Sequence, residues 1–394
     1  MSAGAAYIAA AVRTPIGRFL GGLADLTAVD LGAVAARSAI ERAGVAPDAV
    51  EGVIFGNARQ AGVGPNPARQ VAVAAGLKET VPAYTVNMAC ASGLKAVELG
   101  AMAIQAGEAE VMVVGGTESM SRVPFLVEGL RTGHKLGPIE LVDGMYRDGF
   151  LCRICNQVMG QTAENLVDRY GIGREEQDAL ALESQQRASA AIARGAFDDE
   201  IVPVEVPGRG GSTSVARDEH PRPETTLSGL GALKPVFRSG GSVTAGNSSG
   251  IVDGAAALVL VGERSARAIP GGPLARLGPF TSAGVDPAHM GIGPVPAVKR
   301  LLERTRLRLD DIPLIELNEA FAAQVLAVDR ELHFDRERLN VLGGAIALGH
   351  PIGATGARIV TTLVHEMRRR GAGRGLATLC VSGGQGMAAL LTRD

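Results

Sequence analysis

The chain has 394 residues, 46% hydrophobic and only 3% aromatic, with 53 glycines and no tryptophan. That length suits two sizeable cores, and that composition suits helices laid on sheets through small side chains. A formal charge of -2 leaves no basic field for a nucleic-acid backbone, and no run of roughly 18 apolar residues marks a membrane span. The N-terminus lacks a basic stretch followed by an apolar core, and Leu391-Thr392-Arg393-Asp394 is not a peroxisomal tripeptide. A soluble, cytoplasmic protein is expected.

In chain order, Tyr7 to Val12 reads as an apolar strand, and Asp30 to Ala43 as a helix stopped by Gly44. Val50 to Gly56 is a second strand, Pro67 to Ala75 a helix, and Tyr84 to Ala89 a strand leading to Cys90. Helix Ser92 to Gln105 precedes Val111 to Gly116, an unbroken apolar run of the kind buried between helical layers. Alternating strands and helices predict parallel α/β architecture. From Ser119 to about Asn247 the pattern turns irregular and charged, with helices at Gln161–Tyr170 and Arg174–Arg194. This stretch reads as an insertion that offers substrate contacts.

Asp253 to Val261 restarts a buried strand. Ile312 to Leu317, a helix from Glu319, a glycine-rich loop with its helix, and strand Leu376 to Val381 then repeat the earlier order. The sharpest echo sets Val113-Val114-Gly115-Gly116…Met120 beside Cys380-Val381-Ser382-Gly383…Met387. Two copies of one unit are expected, divided as 1–270, with the insertion at about 119–247, and 271–394. Loops at the carboxyl ends of strands from both copies then meet at one crevice.

Four cysteines are too few for a disulfide framework. Cys152 and Cys155 form a lone C-x-x-C without nearby histidines, so a metal site is not expected and the pair reads as loop packing. Cys90 stands where a strand ends and a helix begins; the helix N-terminus would lower its pKa and favour a nucleophile. The same pattern also suits a small buried side chain. Cys380, before Ser382-Gly383-Gly384, suits proton transfer. His350 precedes Pro351 and so belongs on a loop. Thr355 can cap the helix beyond it, and that helix's positive end would keep the imidazole neutral. Asn318 is a helix cap by spacing, although its amide could equally hold a catalytic water.

Cys90 in NxxCxSG, NEAF at Asn318 to Phe321, GGAIALGHPIGATGAR at Gly343 to Arg358 and Cys380 before its glycines together resemble the thiolase family. VTAGNSSGIVDGAAA at Val243 to Ala257 extends the likeness over essentially the whole chain. The resemblance implies a five-layered αβαβα fold of two similar halves with an inserted loop domain. It implies a homodimer or homotetramer, no metal, no tightly bound cofactor, and coenzyme A as co-substrate. The implied activity is that of an acyltransferase of lipid metabolism, including fatty acid β-oxidation. It cleaves 3-ketoacyl-CoA to acetyl-CoA and a shortened acyl-CoA, or condenses them, through an acyl-cysteine.

By the same resemblance His350 activates Cys90, which carries the acyl group, and Cys380 moves the α-carbon proton. One oxyanion hole pairs His350 with a water on Asn318; the other uses the backbone N–H of Cys90 and Ser382. Coenzyme A is implied near Arg222, Ser228, Ala245 and Ser249, with Met159, Met290 and Phe321 beside the acyl group. Ser382 stands where many members carry glycine. Val158 precedes Met159-Gly160 where acetoacetyl-CoA members often have histidine, which points away from a strict acetoacetyl-CoA specialist. Rival readings are a condensing enzyme of the ketoacyl-synthase kind and an inactive acyl-CoA-binding protein of the same fold.

Overall fold

A computed structural model describes residues 4–393; Asp394 of the C-terminal tripeptide lies outside them. The first half runs β1 (Ala6–Arg13), α1 (Ala28–Ala43), β2 (Gly52–Gly56), α2 (Pro67–Ala74), β3 (Ala83–Val86), α3 (Ser92–Ala106) and β4 (Val111–Ser119). A long excursion carrying α4 (Met159–Tyr170) and α5 (Arg174–Ala193) then returns as β5 (Val252–Gly262). The second half is β6 (Ala275–Gly284), α6 (Pro294–Thr305), β7 (Leu314–Leu317), α7 (Ala322–Leu332), α8 (Ala345–Leu348), α9 (Ile352–Arg370), β8 (Arg374–Val381) and β9 (Gln385–Thr392).

Local chemistry sets many of these bounds. Thr27 accepts the Asp30 N–H while the Asp30 carboxylate answers the Thr27 N–H, a reciprocal cap that starts α1. Gly44, at φ 63°, ends it. Every residue of β4 and β5 is buried, because helices cover both faces of the sheet.

The strands form one sheet in the order β7-β8-β9-β6-β1-β5-β4-β2-β3. The order β1-β5-β4-β2-β3 recurs as β6-β9-β8-β7, with Leu339 pairing parallel to Ile315 where β3 pairs with β2. The expectation of a parallel sheet needs correction. Only β2–β3, β2–β4 and β7–β8 are parallel; the remaining neighbours run antiparallel. The cause is connectivity: β8 turns straight back into β9 through a tight Ser382–Gly384 turn, and β4 returns as its neighbour β5 after the excursion, each time in the opposite direction. The quoted motif echo is also out of register with the structural repeat. Val113 lies within the stretch of β4 that pairs with β2, Met112–Gly116, whereas Cys380 lies beyond the stretch of β8 that pairs with β7, Gly375–Thr378.

Helices α3 and α9 form the middle layer, packing Leu94 and Val97 with Ile359, Val360 and Leu363. Leu31, Ala35 and Val71 of α1 and α2 cover the outer face of the first half. Val298, Leu301, Val325 and Val328 of α6 and α7 cover that of the second, joined by Leu166 and Leu180 from the excursion. Among the described residues the two halves of the sheet are joined only through the Tyr7–Arg276 and Ile8–Ala275 pairs of β1 and β6, so the strands of each half form a layer of their own, and the result is a five-layered αβαβα stack. The two central helices cross very closely: a Cβ on Gly93 would lie 2.7 Å from the Ala357 nitrogen, and one on Gly356 2.2 Å from that of Leu94. Real Cβ atoms do not approach backbone so near, so both positions require glycine.

Two expected caps are not caps. Helix α7 begins at Ala322 behind Phe321, which leaves Asn318 on the loop before it. Helix α9 begins at Ile352 behind Pro351, which places Thr355 inside the first turn.

Candidate active site

Between β3 and α3 the chain makes a tight turn. The Ser92 hydroxyl accepts the Met88 N–H at 2.9 Å and donates to the Ala89 carbonyl at 2.6 Å. Ala89 is held at φ 44°, a left-handed conformation that costs an L-residue about 1 kcal/mol. The turn presents Cys90 to a cavity of about 550 Å³. Burial pushes the Cys90 thiol above its ordinary pKa; the Ser382 N–H, which donates to the sulfur, and the charge of Arg59 oppose this without reversing it. The lowered pKa expected from the helix N-terminus is therefore corrected. Desolvation outweighs a partial charge, so Cys90 rests as a thiol and needs a base.

His350 lines the same cavity, two residues before α9, just as Cys90 lies two residues before α3. The internal repeat thus places the two groups at matching points of the central layer. The Thr355 hydroxyl donates to the Pro351 carbonyl at 2.9 Å and lies 2.6 Å from His350 Nδ1. With its one hydrogen committed to a carbonyl, the hydroxyl accepts from Nδ1–H, and the other ring nitrogen, Nε2, carries a bare lone pair. No protein group among the described residues bonds to Nε2. Burial, with Arg358 and Arg59, holds the imidazole pKa down to about 3. The neutral ring expected from sequence is present, and burial is its main cause.

Cys380 ends β8 and is 1% exposed. Burial, and then repulsion from Cys90, raises its pKa, so it too rests protonated. Ser382 opens the following turn without a left-handed φ; Gly383 (φ 86°) and Gly384 (φ 84°) take that conformation instead. Serine therefore fits where a backbone donor is needed. Asn318 is fully buried, with both side-chain atoms unpartnered among the described residues, while its backbone N–H bonds Thr378 at 3.0 Å.

Two buried carboxylates that sequence reasoning passed over hold these loops in place. Glu118 accepts from Asn57 Nδ2 (3.0 Å), the N–H of Ala58 and Arg59 (each 3.1 Å) and the N–H of Gly353 (2.8 Å). It thereby ties the start of α9 to the first half. Glu319 accepts from Ser184 Oγ (2.6 Å), Asn340 Nδ2 (2.9 Å) and the Ile346 N–H (3.2 Å), which fixes the short helix α8 before His350. Glu118 sits at the end of the apolar run Val111–Gly116, an acid with no cation beside it in sequence, and that was the available signal.

Of the residues expected near coenzyme A and the acyl group, Arg222, Ala245, Ser249, Met159, Met290 and Phe321 all line the cavity. Ser228 does not; it is exposed on the one-turn helix Leu227–Gly231. Cys152 is buried beside Met159, Val243 and Phe321, and Cys155 packs against the same cluster. Arg59 lines the cavity as well, a position sequence reasoning did not single out. Among the described residues no group of three or more His, Cys, Asp or Glu could hold a metal ion, and no helix is long and apolar enough to cross a membrane.

The family model for the thiolase N-terminal domain matches residues 6–264, and that for the thiolase C-terminal domain matches residues 272–393. The chain is 54% identical over 388 residues to the acetyl-CoA acetyltransferase of Pseudomonas aeruginosa, covering 98% of this chain and 99% of that one. It is 54% identical over 387 residues to an acetyl-CoA acetyltransferase of Escherichia coli, covering 98% of each. Among solved structures, the Bacillus anthracis acetyl-CoA acetyltransferase superposes with a TM-score of 0.97 at 47% identity, covering 99% of both chains. Human mitochondrial 3-ketoacyl-CoA thiolase in complex with CoA superposes at 0.95 with 43% identity, covering 100% of this chain and 99% of that one.

Proposed function

The chain belongs to the thiolase family, and on that premise we propose that it exchanges acyl groups between coenzyme A and carbon. It cleaves a 3-ketoacyl-CoA with coenzyme A into acetyl-CoA and a shortened acyl-CoA, and condenses them in reverse. One observation carries the reading: His350, whose buried Nε2 has no partner among the described residues, lines the same cavity as Cys90 and Cys380.

His350 Nε2 takes the proton of Cys90, and the thiolate attacks the 3-keto carbon. The oxyanion collapses by breaking the C2–C3 bond, whose electron pair leaves as the acetyl-CoA enolate. Cys380 gives its thiol proton to the α-carbon. Coenzyme A then attacks the acyl-cysteine, its proton passing to the Cys380 thiolate while His350 returns one to Cys90. The Cys90 and Ser382 N–H groups suit the oxyanion at the acyl carbon, since the Ser382 donor already faces the sulfur. His350 and a water on the Asn318 amide suit the enolate oxygen. Cys380, where a ketoacyl synthase would place a second histidine or asparagine, argues against that rival.

In this reading Arg18 and Arg222, both exposed in the cavity wall, receive the phosphates of coenzyme A. Val158, Phe150 and Phe237 leave an apolar wall that admits acyl groups longer than acetyl. The halves divide near residue 270, with about 119–247 as the loop domain, and the protein is cytoplasmic. Strand β3 is an edge of the sheet with Tyr84 exposed, and an unpaired edge of this kind supports a homodimer or homotetramer. Incubation with acetyl-CoA, acid quench and digestion should place the acetyl mass on the Cys90 peptide. Label on Cys152, Cys155 or Cys380 instead would sink the assignment, and thiolysis of graded 3-ketoacyl-CoAs would fix the chain length.

A further inference from the structure

The wall of the cavity contains three arginines, Arg18, Arg59 and Arg222, two histidines, and no aspartate or glutamate. Two of the arginines stand exposed, but Arg59 is only 7% exposed. Its guanidinium makes no hydrogen bond and no ion pair among the described residues, and its buried Nε has no partner. The carboxylate of Glu118 is near enough to feel its charge but makes no contact ion pair with it, its oxygens accepting instead from backbone and amide N–H groups. Arg59 lies instead against backbone: a Cβ on Gly149 would stand 2.7 Å from its Nε. The surroundings are apolar. Ala58, Met120, Met145 and Ile352 form one cluster, and Cys90 and Phe150 pack on it.

A buried cation without a contact partner is costly to keep, and a ligand that pairs with it relieves that cost. The phosphates of coenzyme A are poor candidates, since the pantetheine arm separates them from the thioester carbon and the exposed arginines can receive them. What reaches Arg59, on the Cys90 side of the cavity, is the acyl group itself. Resting on the thiolase reading, we propose that Arg59 is a carboxylate subsite for the acyl chain, so that the preferred substrates are 3-oxoacyl-CoA thioesters ending in a carboxylate. The planar fork of arginine matches a carboxylate with two parallel N–H donors, and an apolar setting strengthens that pairing.

The test compares matched pairs that differ only at the chain end, 3-oxoadipyl-CoA against 3-oxohexanoyl-CoA in thiolysis and succinyl-CoA against butyryl-CoA in acylation of Cys90. The wild type should favour the carboxylate by on the order of ten- to a hundredfold in kcat/KM, the contribution of one charged hydrogen-bonded contact. Arg59→Leu should bring that ratio close to one, mainly through KM, and Arg59→Lys should keep part of it. A wild-type ratio near one overturns the proposal without any variant. So does an Arg59→Leu enzyme that loses both substrates equally and shifts its pH profile, the signature of an arginine that only tunes the Cys90 thiolate. Acetylation of Cys90 by acetyl-CoA, followed in the same preparations, tests the thiolase reading separately: its absence would refute that reading whatever the chain-end ratio.

Discussion

Thr355 offers the sharpest test of how the site sets its base. Its hydroxyl is committed as donor to the Pro351 carbonyl and so accepts from His350 Nδ1–H at 2.6 Å. Thr355→Val keeps the shape of a fully buried side chain and removes the acceptor; the Pro351 carbonyl loses one donor but keeps the N–H groups of Ala354 and Thr355. The ring then either buries an unsatisfied Nδ1–H, at about 1–3 kcal/mol, or moves its proton to Nε2, where it can no longer receive the proton of Cys90. Both routes raise the barrier to forming the thiolate by a similar amount, which corresponds to about a ten- to hundredfold slower acylation. Rapid-quench acylation of Cys90 by acetyl-CoA measures this directly, away from the carbon–carbon step. Thr355→Ser, which keeps the hydroxyl, should stay near the wild type and retain its pH profile. A Thr355→Val enzyme that acylates within about twofold of the wild type would show that the tautomer is set by something else.

Cys380→Ala should still be acylated by acetyl-CoA, because His350 and the backbone donors remain, but should lose about two to four orders of magnitude in thiolysis and in α-proton exchange with deuterated solvent. Failure of acylation with normal exchange would reverse the roles of the two cysteines. Alanine at both Cys152 and Cys155 should leave turnover within about tenfold, under ~1.4 kcal/mol of barrier, as steady-state thiolysis will show. The folded pKa of His350, about 3, lies below the ordinary value near 6.5. Above that ordinary value both states are neutral; as pH falls from there toward 3, the unfolded chain takes a proton that the folded site refuses, and stability is lost. The thermal midpoint of wild type minus that of His350→Asn should therefore decrease on acidification from pH 6.5 to 4, and a constant difference would contradict the burial argument.

Much of the fold was legible because it is encoded locally. The Thr27–Asp30 cap, the stop at Gly44, the apolar runs at β4 and β5 and the glycines around His350 each fix an element through neighbours a few residues away. Cys90, His350 and Cys380 stood out for the same reason, each beside glycine or small residues at the end of a strand or the start of a helix. The strand directions were less legible, since a hairpin return and a crossover helix leave similar apolar runs on either side.

The state of the site was not written in any one stretch. The helix-terminus argument for Cys90 was sound as far as it went, but it omitted desolvation, which depends on how α3, α9 and the excursion close over the sulfur. Thr355 looked like a cap because it is a threonine near a helix start; only its placement over Pro351 makes it the acceptor that decides the tautomer of His350. Glu118 reaches Gly353 from a distant part of the chain, and it spends its oxygens on N–H donors while the nearby Arg59 makes no ion pair among the described residues. Local sequence determines which backbone conformations are cheap, and so it determined the elements and the loops that carry the reactive groups. Burial, pairing and protonation depend on residues far apart in sequence that share one low-dielectric space, and these the tertiary structure alone decided.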